Sequence, residues 1–194
     1  MPSVFWNVPN VLSLSRLPLT VVLCACVSFE RWTIGLITFC IAAFTDWLDG
    51  WWARRFNQLT PVGRALDPLT DKVIIGSAFI FLIPVAEVGV APWVVALVII
   101  RELLITGLRG MVEATGRKFG ADWFGKLKTV LQSAVLIGAL LLKTLDANAW
   151  LPHLFSPLVG VYWVLLWAML IATVGSGLQY GWKAAKMLSQ PLHP

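Results

Sequence analysis

The sequence predicts an all-α integral membrane protein, and three observations carry that prediction. Hydrophobic residues fill 58% of the 194 positions and charged residues only 13%, with a mean hydropathy of +0.79, too apolar for an ordinary soluble domain. Six stretches, at 11–29, 33–53, 61–86, 91–111, 127–145 and 157–182, approach the roughly 20 apolar residues that one helical crossing requires. Basic residues gather on alternate turns. Arg54, Arg55 and Arg64 lie between spans two and three, with Lys72 just inside span three; Arg109, Arg117, Lys118, Lys126 and Lys128 lie between spans four and five, and Lys183 and Lys186 follow span six. Only Arg31 and Lys143 fall on the other side, so six transmembrane helices with both termini in the cytoplasm are expected. Residues 1–194 read as a single transmembrane domain, without internal repeats.

The segment before span one lacks the cationic start and cleavage site of a secretory signal, so that span is expected to be retained. Phe5 and Trp6, between Pro2 and Pro9, suit an interfacial stretch over residues 1–10. Span one opens N-V-P-N-V-L-S-L-S-R, with Pro9 and Asn10 preceding the helix and Ser13 and Arg16 in its first two turns. A helix cap with a snorkelling arginine explains this run; a contact to a nucleotide or to the acidic motif that follows is the functional alternative.

That motif runs from Asp46 to Asp71, where span two ends and span three begins. On a helix, Asp46, Asp49, Gly50 and Ala53 form one stripe at i, i+3, i+4 and i+7, while Gly63, Asp67 and Asp71 are spaced by four. Two such faces brought together make an oxygen-rich site of formal charge −4, which two Mg²⁺ or Mn²⁺ ions balance. The alternative, an ion-pair network with Arg54, Arg55, Arg64 and Lys72, leaves the two glycines and the alanine unexplained. Thr60 and Pro61 suit the cap and first position of the third helix. Pro68 then kinks that helix, or the helix starts at Pro68 with Asp67 as its cap; the kinked continuous helix is favoured.

Span four carries Arg101 and Glu102 among apolar residues. Arg101 and Arg109 share a face, and Glu102, Thr106 and Arg109 align at i, i+4 and i+7, which permits an internal ion pair or a substrate contact. Span five begins G-K-L-K-T at Gly125, with Gln132 one turn beyond Lys128. Span six carries no motif. Cys24, Cys26 and Cys40 lie within spans and read as packing residues; Trp32, Trp93, Trp123, Trp150 and Trp182 lie near span ends, as in an interfacial belt. His153 and His193 are far from the aspartates. The basic balance, pI near 9.4, points to anionic headgroups and phosphorylated substrates rather than nucleic acid.

The pattern D-x2-D-G-x2-A-R, eight residues, G-x3-D-x3-D resembles the signature of the CDP-alcohol phosphotransferase family, with all eight fixed positions filled. A second layer over residues 7–132, comprising Asn7, Pro9, Ser13, Arg16, Arg101-Glu102, Arg109 and Gly125-Lys126-Leu127-Lys128-Thr129, resembles the bacterial phosphatidylglycerophosphate synthases within it. The resemblance implies the family's fold and transfer of a phosphatidyl group from CDP-diacylglycerol to glycerol 3-phosphate, with release of CMP, at the cytoplasmic face of a bacterial inner membrane. It implies a divalent metal pair on Asp46, Asp49, Asp67 and Asp71, with Asp71 as general base. It places the cytidine nucleotide against Asp49, Gly50, Ala53, Arg54 and Gly63. Arg109, Lys126, Lys128 and Arg101 are the expected contacts for the acceptor's phosphate. Apolar outer faces make a homodimer reasonable. Serine, inositol phosphate or phosphatidylglycerol are competing acceptors within the class. Intramembrane prenyltransferases also bind diphosphate through metal-bound aspartates, but lack the G-x2-A-R element. A divalent-cation transporter is the competitor outside it, disfavoured because the chain has no related halves and its acids cluster at one end.

Overall fold

The computed structural model describes residues 7–56, 61–115, 120, 123–148 and 152–189; the side chains of 54, 61, 62, 64–68, 152–154 and 188 lie outside that description. Six helices follow one another: α1 (Val8–Ser28), α2 (Trp32–Arg55), α3 (Pro61–Leu82), α4 (Pro92–Ala114), α5 (Trp123–Ala147) and α6 (Pro152–Leu188). A short 3-10 turn, Ala86–Val88, lies between α3 and α4, and no strand occurs among the described residues.

Asn7 caps α1 by accepting a hydrogen bond from the Asn10 amide at 2.9 Å. Pro9 sits in the first turn, where a missing N–H costs nothing. Pro9 and Asn10 therefore lie inside the helix they were expected to precede, and the end of the interfacial stretch is helical; residues 1–6 lie outside the described set. Helix α3 runs unbroken from Pro61 through Pro68, so Asp67 is not a cap, and Gly63, Asp67 and Asp71 share one helix. Thr60 lies outside the described residues. The third span ends at Leu82, four residues short of expectation, because the chain turns through the 3-10 segment to Gly89 at φ 60°.

Among the described residues four helices are long and apolar enough to cross a membrane: α1, α2, α5 and α6. Helices α3 and α4 match them in length, at 22 and 23 residues. Each carries four ionisable residues, Arg64, Asp67, Asp71 and Lys72 on α3 and Arg101, Glu102, Arg109 and Glu113 on α4. Four ionisable residues also lie on α2 (Asp46, Asp49, Arg54 and Arg55) and four on α5 (Lys126, Lys128, Lys143 and Asp146).

Helix α1 packs along α2 and α3, α5 packs along α6 and α2, and α4 leans on α6. Leu23, Phe79, Leu136, Leu140 and Met169 fill the centre. At one end Lys143 Nζ lies 3.5 Å from both Glu87 and Asp146 and 5.3 Å from the Trp32 ring centroid. The Tyr162 hydroxyl donates to the Val88 carbonyl there at 2.8 Å. Trp32 is buried in this clasp, whereas Trp93, Trp123 and Trp182 are exposed as belt residues would be; Trp150 lies outside the described set. Cys26 is buried and Cys24 half-buried, but Cys40 faces outward. His193 and the His153 side chain lie outside the description.

Candidate active site

Helix α2 sets Asp46 and Asp49 one turn apart, with Asp49 buried and Asp46 half-exposed. Ala53, a further turn along, is buried and keeps that face narrow. The cation facing these carboxylates comes from α1. Arg16 is 1% exposed, and its Nη1 donates to Asp46 Oδ1 while its Nη2 donates to Asp49 Oδ2. Ser13 Oγ lies 3.1 Å from the same Asp49 oxygen and 3.0 Å from the Pro9 carbonyl, sharing its proton between them. A guanidinium is withdrawn from water this far only when its charge is paired, and here the two Nη groups do the pairing while Nε has no hydrogen-bond partner among the described residues. Arg16 therefore does not snorkel; it braces the first half of the acidic motif. The side chains of Arg54, Arg64 and Asp67 lie outside the described residues.

Beside this site is a cavity of about 220 Å³ between α3, α4 and α5. Its polar end is formed by Asp71, Lys72, Glu102, Lys128 and Gln132, and its remainder is mostly apolar, including Ile75 and Val98. Lys128 is buried and paired with Glu102, which also accepts from Arg101 at 3.2 Å. Asp71 joins the two halves: it lies within electrostatic reach of Asp46 and Arg16 on one side and of Lys128 and Glu102 on the other. Close helix packing carries Lys128 inward. A Cβ on Gly125 would stand 2.7 Å from the Tyr180 hydroxyl, so a glycine is needed for α5 to approach α6 there.

The expected acceptor residues separate. Lys128 lines the cavity; Lys126 is exposed and away from its wall. Arg101 is buried with its guanidinium carbon 5.6 Å from the Tyr180 ring centroid, and neither it nor half-buried Arg109 lines the cavity. Glu102 pairs with Lys128 and Arg101 rather than aligning with Arg109, because α5 presents an ammonium to it across the bundle. The basic recess is thus formed by Lys72 and Lys128. Sequence reading weighed Glu102 as an ion-pair or substrate contact and placed Gln132 one turn beyond Lys128, but assigned neither to the site; both line the cavity.

Among the described residues no three His, Cys, Asp or Glu side chains converge. The donor chemistry nevertheless fits a hard divalent cation. Asp46 and Asp49 offer carboxylate oxygens side by side, and they already draw a buried positive group between them.

A helical bundle with four apolar helices long enough to cross a membrane, a base-flanked acidic pair and an adjoining half-open cavity has the character of a membrane protein. The model of the family described as CDP-alcohol phosphatidyltransferase matches residues 6–175, and the chain belongs to that family. It is 34% identical to a CDP-diacylglycerol–glycerol-3-phosphate 3-phosphatidyltransferase of Bacillus subtilis (strain 168), over 93% of this chain and 98% of the relative. Proteins of the same name from Shigella flexneri serotype 5b (strain 8401) and Salmonella typhimurium (strain LT2) are 34% and 33% identical, each over 90% of this chain and 93% of the relative.

Proposed function

We propose that this enzyme transfers the phosphatidyl group of CDP-diacylglycerol to sn-glycerol 3-phosphate, giving phosphatidylglycerophosphate and CMP. The observation that carries the reading is the position of Asp71 between the Arg16-braced acidic pair and the Lys128 cavity. One side suits a pyrophosphate held through cations, and the other an acceptor that brings a phosphate. The relatives' shared name supports the choice of acceptor.

In this reading the acceptor hydroxyl loses its proton to an Asp71 carboxylate oxygen. The hydroxyl oxygen then forms a bond to the phosphorus bearing diacylglycerol, and the bond from that phosphorus to the CMP oxygen breaks. Asp46, Asp49, Asp67 and Asp71 would hold two Mg²⁺ or Mn²⁺ ions, which supply charge neutralisation at the pyrophosphate when bound. Gly50, Ala53, Arg54 and Gly63 admit and pair the cytidine nucleotide, with Asp49 shared between both duties. Lys128 and Lys72 attract the acceptor's phosphate; Arg109, Lys126 and Arg101 raise the positive potential around the mouth of the site. All six helices cross the inner membrane of a bacterium, including charged α3 and α4, with both termini and the site on the cytoplasmic side. Apolar outer faces, including Ile37, Ile41 and Phe44 on α2, support a homodimer.

The test is CMP release by purified protein supplied with CDP-diacylglycerol and Mg²⁺, adding glycerol 3-phosphate, serine, inositol phosphate or phosphatidylglycerol separately. Release that requires glycerol 3-phosphate is expected. Release with another acceptor alone corrects the substrate, and metal-dependent cation uptake without CMP release replaces the reading with transport.

A further inference from the structure

The cavity beside Asp71 contains a polar group that no described part of the protein satisfies. Gln132 is wholly buried on α5 and lines the cavity, yet neither its amide nitrogen nor its amide oxygen has a hydrogen-bond partner. Its neighbour one turn earlier, Lys128, is engaged by Glu102. Buried amides are rarely left unpaired, because folding strips their water without replacing it. A buried glutamine with two open valences facing a cavity is therefore explained by what enters that cavity.

The amide itself limits the chemistry of that ligand. A phosphate has only acceptors to offer and would satisfy the NH₂ group alone. An ammonium has only donors and would satisfy the carbonyl alone. A hydroxyl does both, donating to Oε1 while its oxygen accepts from Nε2. The cavity's 220 Å³ equals about seven waters at ~30 Å³ each, enough for a short polyol.

We propose that Gln132 is the specificity-determining residue for the acceptor alcohol. Its amide binds the hydroxyl next to the one that reacts, and so selects which hydroxyl of a vicinal diol faces Asp71. The inference rests on the acceptor reading above and extends it. Lys128 and Lys72 attract the phosphate end, whereas Gln132 reads the uncharged end.

The experiment compares sn-glycerol 3-phosphate with 3-hydroxypropyl phosphate, which keeps the phosphate and the reacting hydroxyl but lacks the middle one. Both are assayed by CMP release from the full-length protein with CDP-diacylglycerol and Mg²⁺. Wild type is expected to favour glycerol 3-phosphate in kcat/KM by about 10- to 100-fold. Gln132→Leu is expected to bring that ratio to within about threefold by losing rate on glycerol 3-phosphate, since only that acceptor has a hydroxyl to forfeit. Gln132→Asn, which stays polar but reaches less far, provides a second variant if the leucine protein does not fold. Equal use of both acceptors by wild type overturns the inference without any variant. A folded variant that keeps the wild-type ratio, or loses both acceptors equally as a water-filled structural glutamine would, also overturns it. No wild-type release with either acceptor overturns the acceptor reading itself, and the inference with it.

Discussion

At Arg16 two guanidinium nitrogens each bond a different carboxylate while the side chain is 1% exposed. Removing it leaves Asp49 charged and buried, a situation that typically costs about 3–5 kcal/mol when a buried pair is broken. Half-exposed Asp46 contributes less, because water reaches it. Arg16→Ala is therefore expected to lower the thermal midpoint in detergent without metal by several degrees, with part of the loss recovered on adding Mg²⁺. Arg16→Lys is expected to recover little, since one ammonium cannot reproduce a planar fork spanning two acceptors. A midpoint unchanged in Arg16→Ala would show that the carboxylates have another source of charge. Asp67→Asn and Asp71→Asn are expected to abolish CMP release while the protein stays folded; a fully active Asp67→Asn protein would remove the metal-site reading. Lys128→Met, which keeps the stem and deletes the charge, should raise the KM for a phosphorylated acceptor more than it lowers kcat.

Helix pairing decides which of these groups meet. At Gly125 α5 packs tightly on a side chain of α6, with the Tyr180 hydroxyl 2.7 Å and ring atoms 3.3 Å from the position a Cβ would take. Gly125→Ala forces the helices apart or rotates the tyrosine, at a cost of about 1–3 kcal/mol typical of overpacking. Because Lys128 lies one turn further along α5, activity should fall together with stability. Adding Tyr180→Phe deletes the nearest clashing atom and should recover part of both; no recovery in the double variant would mean that the backbone contact lies elsewhere. The helices and the aspartate stripes were readable from hydropathy and spacing, since both are local properties of the chain. The partner of those aspartates was harder to read. Arg16 lies 30 and 33 residues before Asp46 and Asp49, and only the packing of α1 against α2 brings it to them. The same holds for Lys128 and Glu102, 26 residues apart. Spacing suggested Arg109 for Glu102 because i, i+7 on one helix is visible in a sequence, whereas a contact across the bundle is not.

Across the whole bundle, α5 gives a scale for the membrane. Lys126 near its start is exposed beside the acidic end, while Lys143 near its finish reaches Glu87 at the opposite end. The 17 helical steps between the two lysines span about 25 Å at 1.5 Å each, close to a hydrocarbon core of about 30 Å. In the proposed topology Lys126 and exposed Glu87 mark opposite faces of the membrane. In the proposed orientation the basic excess around Lys126 puts its face in the cytoplasm. With Cys24, Cys26 and Cys40 replaced by alanine, a membrane-impermeant thiol reagent should label Lys126→Cys only in inverted membrane vesicles. It should label Glu87→Cys only in right-side-out ones. The reverse pattern would put the acidic site outside the cell, away from a cytoplasmic pool of phosphorylated acceptor, and would defeat the proposed reaction. Labelling of both positions from one side would mean that α5 does not cross, and that the charged pair α3 and α4 lies along the membrane surface.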